Sequence, residues 1–193
     1  MKSILKIKRY ISRRVFYYLY ARMFKNYQKT TYIKDPDIIE GHQYISLGDG
    51  VVIQTMAWLL AYKQDNIDPI ISIEDGSVIG RFSHIVALRS IAIGKNVLIA
   101  DKVYISDNIH AYEDITKPIL QQEIVFKGDV EIGDNSWIGE NVSIIGAKIG
   151  VHCIVGANAV VLRDIPSYSV VVGNPAKVIK TYNHDKEIWE KIE

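Results

Sequence analysis

The sequence predicts an all-β chain wound as a parallel β-helix, and three observations carry that prediction. Four blocks place an aliphatic residue at every sixth position: Ile73-Ile79-Ile85, Ile93-Ile99-Ile105, Ile132-Ile138-Ile144 and Ile149-Val155-Val161. A period of six matches neither the 3.6 of an amphipathic helix nor the 2 of an alternating strand. It fits short flat strands wound into coils, each coil burying one anchor per side. Glycine follows six of these twelve anchors (Gly80, Gly94, Gly133, Gly139, Gly150, Gly156), as expected where the backbone turns a tight corner. Position five of the repeat is often small or β-branched: Ser77, Ser83, Val97, Val103, Ser136, Val142, Cys153 and Ala159.

In chain order, residues 1–34 are expected to form a basic amphipathic helical segment. Ile4, Ile7, Ile11, Val15, Leu19 and Met23 recur at helical spacing. Residues 1–30 carry nine bases (Lys2, Lys6, Lys8, Arg9, Arg13, Arg14, Arg22, Lys25, Lys29) and no acid, and Tyr10, Tyr17, Tyr18, Tyr20 and Tyr27 add interfacial character. Two uses fit. The segment can cap the first coil, because terminal repeats need cover, and it can touch an anionic membrane surface as a peripheral contact. Nucleic-acid binding is not expected, since no recognition module follows and the remaining residues sum to −8, with 14 bases against 22 acids.

Asp35-Pro36-Asp37 turns the chain into the repeats, expected over residues 35–181. A degenerate first coil holds Ile39, Ile45 and Leu47-Gly48-Asp49-Gly50, and residues 62–69 read as a connection. Regular coils run from Ile70 to Ser106. Residues 108–128 lack the period, so they are expected to project from the coil wall as a loop, where solenoids usually bind ligands. The period resumes at Val130, with one junction (Ile144 to Ile149) a residue short, and ends near Val172. After the turn at Gly173-Asn174-Pro175, residues 182–193 are expected to form a helical tail, with a short helix over Asp185–Lys191 capped by Asn183.

At 193 residues and 48% hydrophobic, the chain suits one domain with an appendage. Its one cysteine, Cys153, excludes an internal disulfide framework and fits a reducing compartment; the small-residue slot it occupies marks a packed thiol. No apolar run reaches the ~20 residues of a membrane span, and no signal-peptide pattern is present, so a cytoplasmic location is expected.

The run Val130-Glu131-Ile132-Gly133-Asp134-Asn135-Ser136-Trp137-Ile138-Gly139, followed by Val155-Gly156-Ala157-Asn158-Ala159-Val160-Val161, resembles the hexapeptide-repeat acyltransferases. So does Arg163-Asp164-Ile165-Pro166 with the segment from Val172 to Lys180. The resemblance covers about residues 70–181. It implies a left-handed β-helix, a homotrimer with active sites between subunits, and acetyl-CoA as co-substrate. Ile105-Ser106-Asp107-Asn108-Ile109-His110 before a long loop is most similar to the sugar O-acetyltransferases of that family. The implied reaction is acetyl transfer to a sugar hydroxyl, in a saccharide acceptor such as capsule, O-antigen or exopolysaccharide. An N-acetyltransferase of a nucleotide-linked amino sugar would share the base and the donor and differ in the acceptor pocket.

Acetyl transfer from a thioester to a hydroxyl needs a base and oxyanion donors, with no covalent enzyme intermediate. Histidine suits the base, since its pKa lies near neutrality. Among His42, His84, His110, His152 and His184, His110 stands where regular repeats stop and the long loop begins, and it matches the family's catalytic histidine. Asp107 is the candidate that orients it or binds acceptor hydroxyls, with Glu113, Asp114 and Glu123 competing. The resemblance carries donor contacts onto Trp137, Glu140, Ala157, Leu162, Arg163, Lys177 and Lys180. The cations suit the phosphates of CoA, and Ala157 lets the pantetheine arm approach the backbone. Glu140 and Leu162 stand where galactoside enzymes carry hydroxyl-bearing residues, so contacts there are expected through backbone or apolar atoms. Asn108, Tyr112 and His84 are the acceptor candidates. No metal is expected: zinc carbonic anhydrases of this fold use clustered histidines, whereas the nearest pair here, His84 and His110, is 26 residues apart. A non-enzymatic scaffold is the third class, and it would show no CoA binding.

Overall fold

A computed structural model describes residues 2–192, with side chains from Tyr10 onward. The repeats wind into a left-handed β-helix whose three walls are parallel sheets. The first sheet takes in order Asn26–Tyr27, Ile45–Leu47, Ile70–Ile73, Ser90–Ile93, Val130–Ile132 and Lys148–Ile149. The second runs from Tyr32–Ile33 and Val52–Ile53 through Val78–Ile79, Leu98–Ile99, Trp137–Ile138 and Ile154–Val155 to Ser169–Val172. The third holds Ile38–Glu40, Trp58–Ala61, His84–Ala87, Tyr104–Ser106, Ser143–Ile145 and Val160–Val161.

All twelve six-residue anchors are buried, and they align rung upon rung. Ile73 lies beside Ile93, then Ile132, then Ile149 in the first sheet. Ile79, Ile99, Ile138 and Val155 do the same in the second, and Ile85, Ile105, Ile144 and Val161 in the third. The small position-five residues are buried between them. Ser77 and Ser136 also join coils, each hydroxyl donating to a carbonyl of the next coil (Gly94, Gly150) and accepting a backbone N–H (Val97, Cys153). Cys153 is a packed thiol, and burial pushes its pKa up.

The glycines after the anchors serve a purpose other than turning the chain. The left-handed residue falls two places later: Phe82, Asn96, Asn135, Asn141, His152 and Asn158, with φ between 54 and 62°. Four of the six are asparagine, which tolerates that region. Glycine is required because the next coil passes too close. A Cβ on Gly80 would lie 2.2 Å from the Ala100 carbonyl oxygen, and one on Gly139 would lie 2.6 Å from the Ala157 nitrogen.

Both ends differ from expectation. The helix spans Lys2–Tyr20 and is followed by a 3-10 turn at Ala21–Met23. The first coil then begins at Asn26, ahead of the expected boundary at residue 35, because Asn26–Tyr27 and Tyr32–Ile33 already pair with the next coil. The helix caps that coil through Phe16 and Tyr17, both against the ring of Tyr27, and Ala21 of the turn packs beside them on the core. Its periodic stripe of Ile11, Val15, Leu19 and Met23 stays exposed. At the other end, the expected C-terminal helix over 185–191 is absent. Lys177–Asn183 and Ile188–Lys191 form an antiparallel hairpin on the last strand of the second sheet. A segment this short has too few internal bonds to nucleate a helix. Pairing instead brings the Tyr182 and Trp189 rings to 5.4 Å, and the Asn183 side chain accepts the N–H groups of Asp185 and Lys186 to close the turn.

Two substitutions test the corner geometry by urea denaturation. Gly80→Ala is expected to cost about 1–3 kcal/mol, since the added methyl must displace backbone. Phe82→Asn, at an exposed left-handed position, is expected to gain about 0.5–1 kcal/mol. A Gly80→Ala midpoint equal to wild type contradicts the close-approach account.

Candidate active site

At the corner between the third and first sheets, neighbouring coils turn in two residues, Leu88-Arg89 in one and Gly146-Ala147 in another. The coil between them inserts residues 107–129 at the same place. The insertion is an arm: Asn108–His110 pairs antiparallel with Ile124–Phe126, and Ile119–Gln121 makes a 3-10 turn near the tip. It projects as expected, but as a hairpin with its own ladder.

Asp107 fastens the arm. Its side chain is fully buried, and Oδ1 accepts from the Leu88 N–H at 2.7 Å and the Asn108 amide at 2.7 Å. Oδ2 accepts from the N–H groups of Arg89 at 2.6 Å and Ser90 at 2.8 Å. Its backbone carbonyl receives the Lys127 N–H where the arm returns. With both oxygens occupied by the corner of the preceding coil, Asp107 anchors the arm, and the expectation that it orients His110 or binds acceptor finds no support in this arrangement. Asn108 is likewise engaged, its amide donating to Val86 O at 3.2 Å as well as to Asp107. That amide braces the base of the arm, so its expected role in holding acceptor finds no support either. Glu113 accepts the Tyr112 N–H, and Asp114 is bound to Thr116 and Lys117.

His110 is exposed on the arm strand, opposite Ile124. Antiparallel partners share a face, so the imidazole stands on the side of the hairpin that carries Ile124 and Phe126. Ile124 and Phe126 line a cleft of about 350 Å³ between the arm and the 62–69 connection, together with Gln64, Asp65, Ile67, Leu88, Arg89, Glu123 and Val125. The Arg89 guanidinium lies 4.7 Å over the Phe126 ring, a cation–π contact that fixes a charge in the cleft wall. Sequence reasoning missed Arg89, because the Leu88-Arg89 corner belongs to no recognised motif. Tyr112 is exposed further out on the arm. His84 is elsewhere, on the outer face of the third sheet, stacked on Trp58 at 4.0 Å with Tyr104 edge-on at 5.4 Å. Burial lowers its pKa, which keeps the ring neutral at pH 7.

The expected donor residues fall in three places. Trp137 is exposed on the outer face of the second sheet, in register with Ile154, Val170 and finally Lys180, so Trp137 and Lys180 share one face. Lys177 lies opposite Val172 at the start of the same return strand. Glu140 and Ala157 meet at the corner between the second and third sheets, lining a cleft of about 360 Å³ with Lys102, Asn141 and Asn158. There Lys102 pairs with Glu140 at 3.0 Å, and the Asn141 amide donates to Asn158 at 2.8 Å. Leu162 and Arg163 are exposed at the arm's corner, two coils further on. Among the described residues, Arg163, Lys177 and Lys180 form no ion pair, unlike Lys148 and Lys186. One chain therefore gathers donor-type groups on the last coils and holds His110 on the arm at a different corner from Glu140 and Ala157. Lys102, Asn141 and Asn158 were not anticipated; the asparagines two places after Gly139 and Gly156 were the signal for that corner. Among the described residues no cluster of His, Cys, Asp or Glu is arranged to hold a metal.

A family model described as the hexapeptide repeat of succinyl-transferase matches residues 129–163. The putative lipopolysaccharide biosynthesis O-acetyl transferase WbbJ of Escherichia coli K12 is 34% identical over 180 residues, covering 90% of this chain and 89% of that protein. Among solved structures, a maltose O-acetyltransferase from Clostridium difficile 630 is 25% identical with TM-score 0.54, covering 91% of this chain and 89% of that one. AntD, an N-acyltransferase from Bacillus cereus solved with dTDP and 3-hydroxybutyryl-CoA, shares the fold at 19% identity and TM-score 0.68, covering 86% and 87%.

Asp107→Asn separates anchoring from chemistry. It places an amide where the corner needs only acceptors, and is expected to lower stability by about 1–3 kcal/mol. The pH–rate profile of the folded fraction should match wild type. Unchanged stability with a turnover loss of about a hundredfold would return Asp107 to the reaction.

Proposed function

The chain belongs to the hexapeptide-repeat acyltransferases, and on that premise we propose that it transfers acetyl from acetyl-CoA to a sugar hydroxyl of a bacterial surface polysaccharide, with His110 as general base. The observation that carries this reading is the exposed His110 imidazole on a braced arm strand, its pairing partner Ile124 lining an open cleft. The imidazole takes the proton of the acceptor hydroxyl as its oxygen bonds to the acetyl carbonyl carbon. Collapse of the tetrahedral adduct breaks the carbon–sulfur bond, and the proton passes from His110 to the departing CoA thiolate. The thioester is already activated, so no covalent enzyme intermediate is needed.

The cleft between the arm and the 62–69 connection is the acceptor side in this reading. Its apolar floor (Ile67, Ile124, Phe126) suits the face of a sugar ring, and Arg89, Asp65 and Glu123 suit its hydroxyls. On the donor side, Arg163, Lys177 and Lys180, which form no ion pair among the described residues, supply positive charge for the phosphates of CoA, while Ala157 leaves the wall open to the pantetheine arm. Glu140 is neutralised by Lys102, which removes a repulsive charge from that wall. Base and wall occupy different corners of one chain, and this separation supports a homotrimer with each site completed between two subunits. Use of acetyl-CoA and a single free, buried thiol support a cytoplasmic location.

A hydroxyl acceptor is favoured over an amine because the E. coli relative that matches nearly end to end is named an O-acetyl transferase of lipopolysaccharide biosynthesis. The test is CoA-thiol release from acetyl-CoA against sugars, nucleotide-linked amino sugars and surface polysaccharides, run beside His110→Ala. Release that requires a hydroxyl acceptor and falls about 10²–10⁴-fold in the variant is expected. Release only with amino sugars would make the enzyme an N-acetyltransferase. A folded protein that binds no CoA would overturn the reading.

A further inference from the structure

The N-terminal helix has two apolar faces, and the protein uses one. Phe16, Tyr17 and Ala21 pack on the core of the first coil. The other face carries Ile11, Val15 and Leu19, spaced by four residues and 55%, 51% and 63% exposed, and Met23 in the 3-10 turn that follows is 50% exposed. Tyr18, at 69%, stands beside them. Four large apolar side chains in one exposed line are unlike the scattered apolar residues of an ordinary surface. A cap needs a single apolar face, and among the described residues this second one has no partner.

The charge around it says what covers it. No acid precedes Asp35, while residues 1–34 hold ten bases. Arg14 borders the stripe, three residues after Ile11 and four before Tyr18, and its guanidinium bonds the exposed Tyr10 hydroxyl at 2.7 Å. Arg22 is exposed beside Met23. An apolar line edged by arginines and tyrosines, on a segment rich in bases, matches the acyl–headgroup boundary of an anionic bilayer. No helix among the described residues is long and apolar enough to cross a membrane, so this one would lie in the surface plane. A second copy of the helix is the poorer occupant, because it would bring two base-rich, acid-free segments together without a counter-charge.

We propose that the N-terminal helix and the 3-10 turn after it dock this protein on anionic phospholipid surfaces through Ile11, Val15, Leu19 and Met23, while Phe16 and Tyr17 hold the helix to the β-helix. The solenoid, with its −8 charge over residues 31–193, is repelled by the same anionic surface. Lipid binding needs no acyl acceptor, so its failure and the failure of acetyl transfer are separately visible.

The experiment is co-sedimentation of the full chain with vesicles of phosphatidylcholine, with and without phosphatidylglycerol. The variants are Ile11→Gln/Val15→Gln/Leu19→Gln, which keeps helix propensity and the capping face, and Arg14→Glu/Arg22→Glu. Wild type should bind the phosphatidylglycerol vesicles, bind pure phosphatidylcholine far less, and weaken as salt is raised. Each variant should lose about tenfold or more in affinity with its thermal midpoint unchanged. Equal binding to both vesicle types, or full binding by the glutamine variant, overturns the proposal. So does a wild type that binds no vesicle while the glutamine variant changes oligomeric mass, which would assign the stripe to a contact between copies.

Discussion

Successive coils lie in register at the spacing of a parallel ladder, about 4.8 Å, and that spacing leaves no room for a side chain at several corners. The consequence reaches every level of the molecule. Glycine must follow the anchor at Gly80, Gly133 or Gly139, because the next coil's backbone occupies the place of its Cβ. The compensating left-handed turn is displaced two residues, onto asparagine at four of the six glycine corners. With the corners closed in this way, the inward ladders of Ile73-Ile93-Ile132-Ile149 and their counterparts stack in register. Buried serines such as Ser77 and Ser136 tie coil to coil by hydrogen bonds within that core.

A wall built so regularly offers chemistry only where the regularity is broken. The largest break is the arm at residues 107–129, and the molecule spends a fully buried carboxylate to hold it: Asp107 collects three backbone N–H groups of the preceding corner, and the arm grows from that fixed point. His110 is three residues out, near enough to the anchor to be held and far enough to be exposed. The ladder Asn108–Phe126, Ile109–Val125 and His110–Ile124 positions His110 on a strand, so the base role proposed for it would need no loop to be ordered on binding. The second break is the end of the coil stack, where the return strand Lys177–Asn183 lays Lys180 beside the Trp137 row.

How much of this was legible in the sequence follows from what repeats and what does not. The anchors, the small fifth positions and the packed Cys153 announce themselves, because a period of six has few other physical explanations. His110 was visible as the residue at the edge of the period. The anchoring part of Asp107 was not legible, because its partners there are backbone N–H groups of residues 88–90 and no side-chain pattern marks backbone donors. The C-terminal hairpin was read as a helix because a charged, acid–base alternating segment looks the same in both states until a strand edge is there to pair with it. The stripe at Ile11, Val15, Leu19 and Met23 was legible as an amphipathic face. That it points away from the solenoid was not, since Phe16 and Tyr17 sit on the same helix with equal claim to the core. Arg89 and Lys102 became visible only once neighbouring coils were stacked.

In the proposed homotrimer, His110 on the arm of one chain would serve the Ala157, Lys177 and Lys180 wall of its neighbour. Mixing subunits tests it most directly. His110→Ala and Lys177→Glu/Lys180→Glu chains would be assembled together and assayed at an acetyl-CoA concentration where each alone is nearly inactive. If the site lies between subunits of a trimer, mixed assemblies contain intact base–wall pairs, and random mixing recovers up to about a quarter of wild-type activity. Mixed assemblies no more active than either parent would contradict it and place the whole site within one chain.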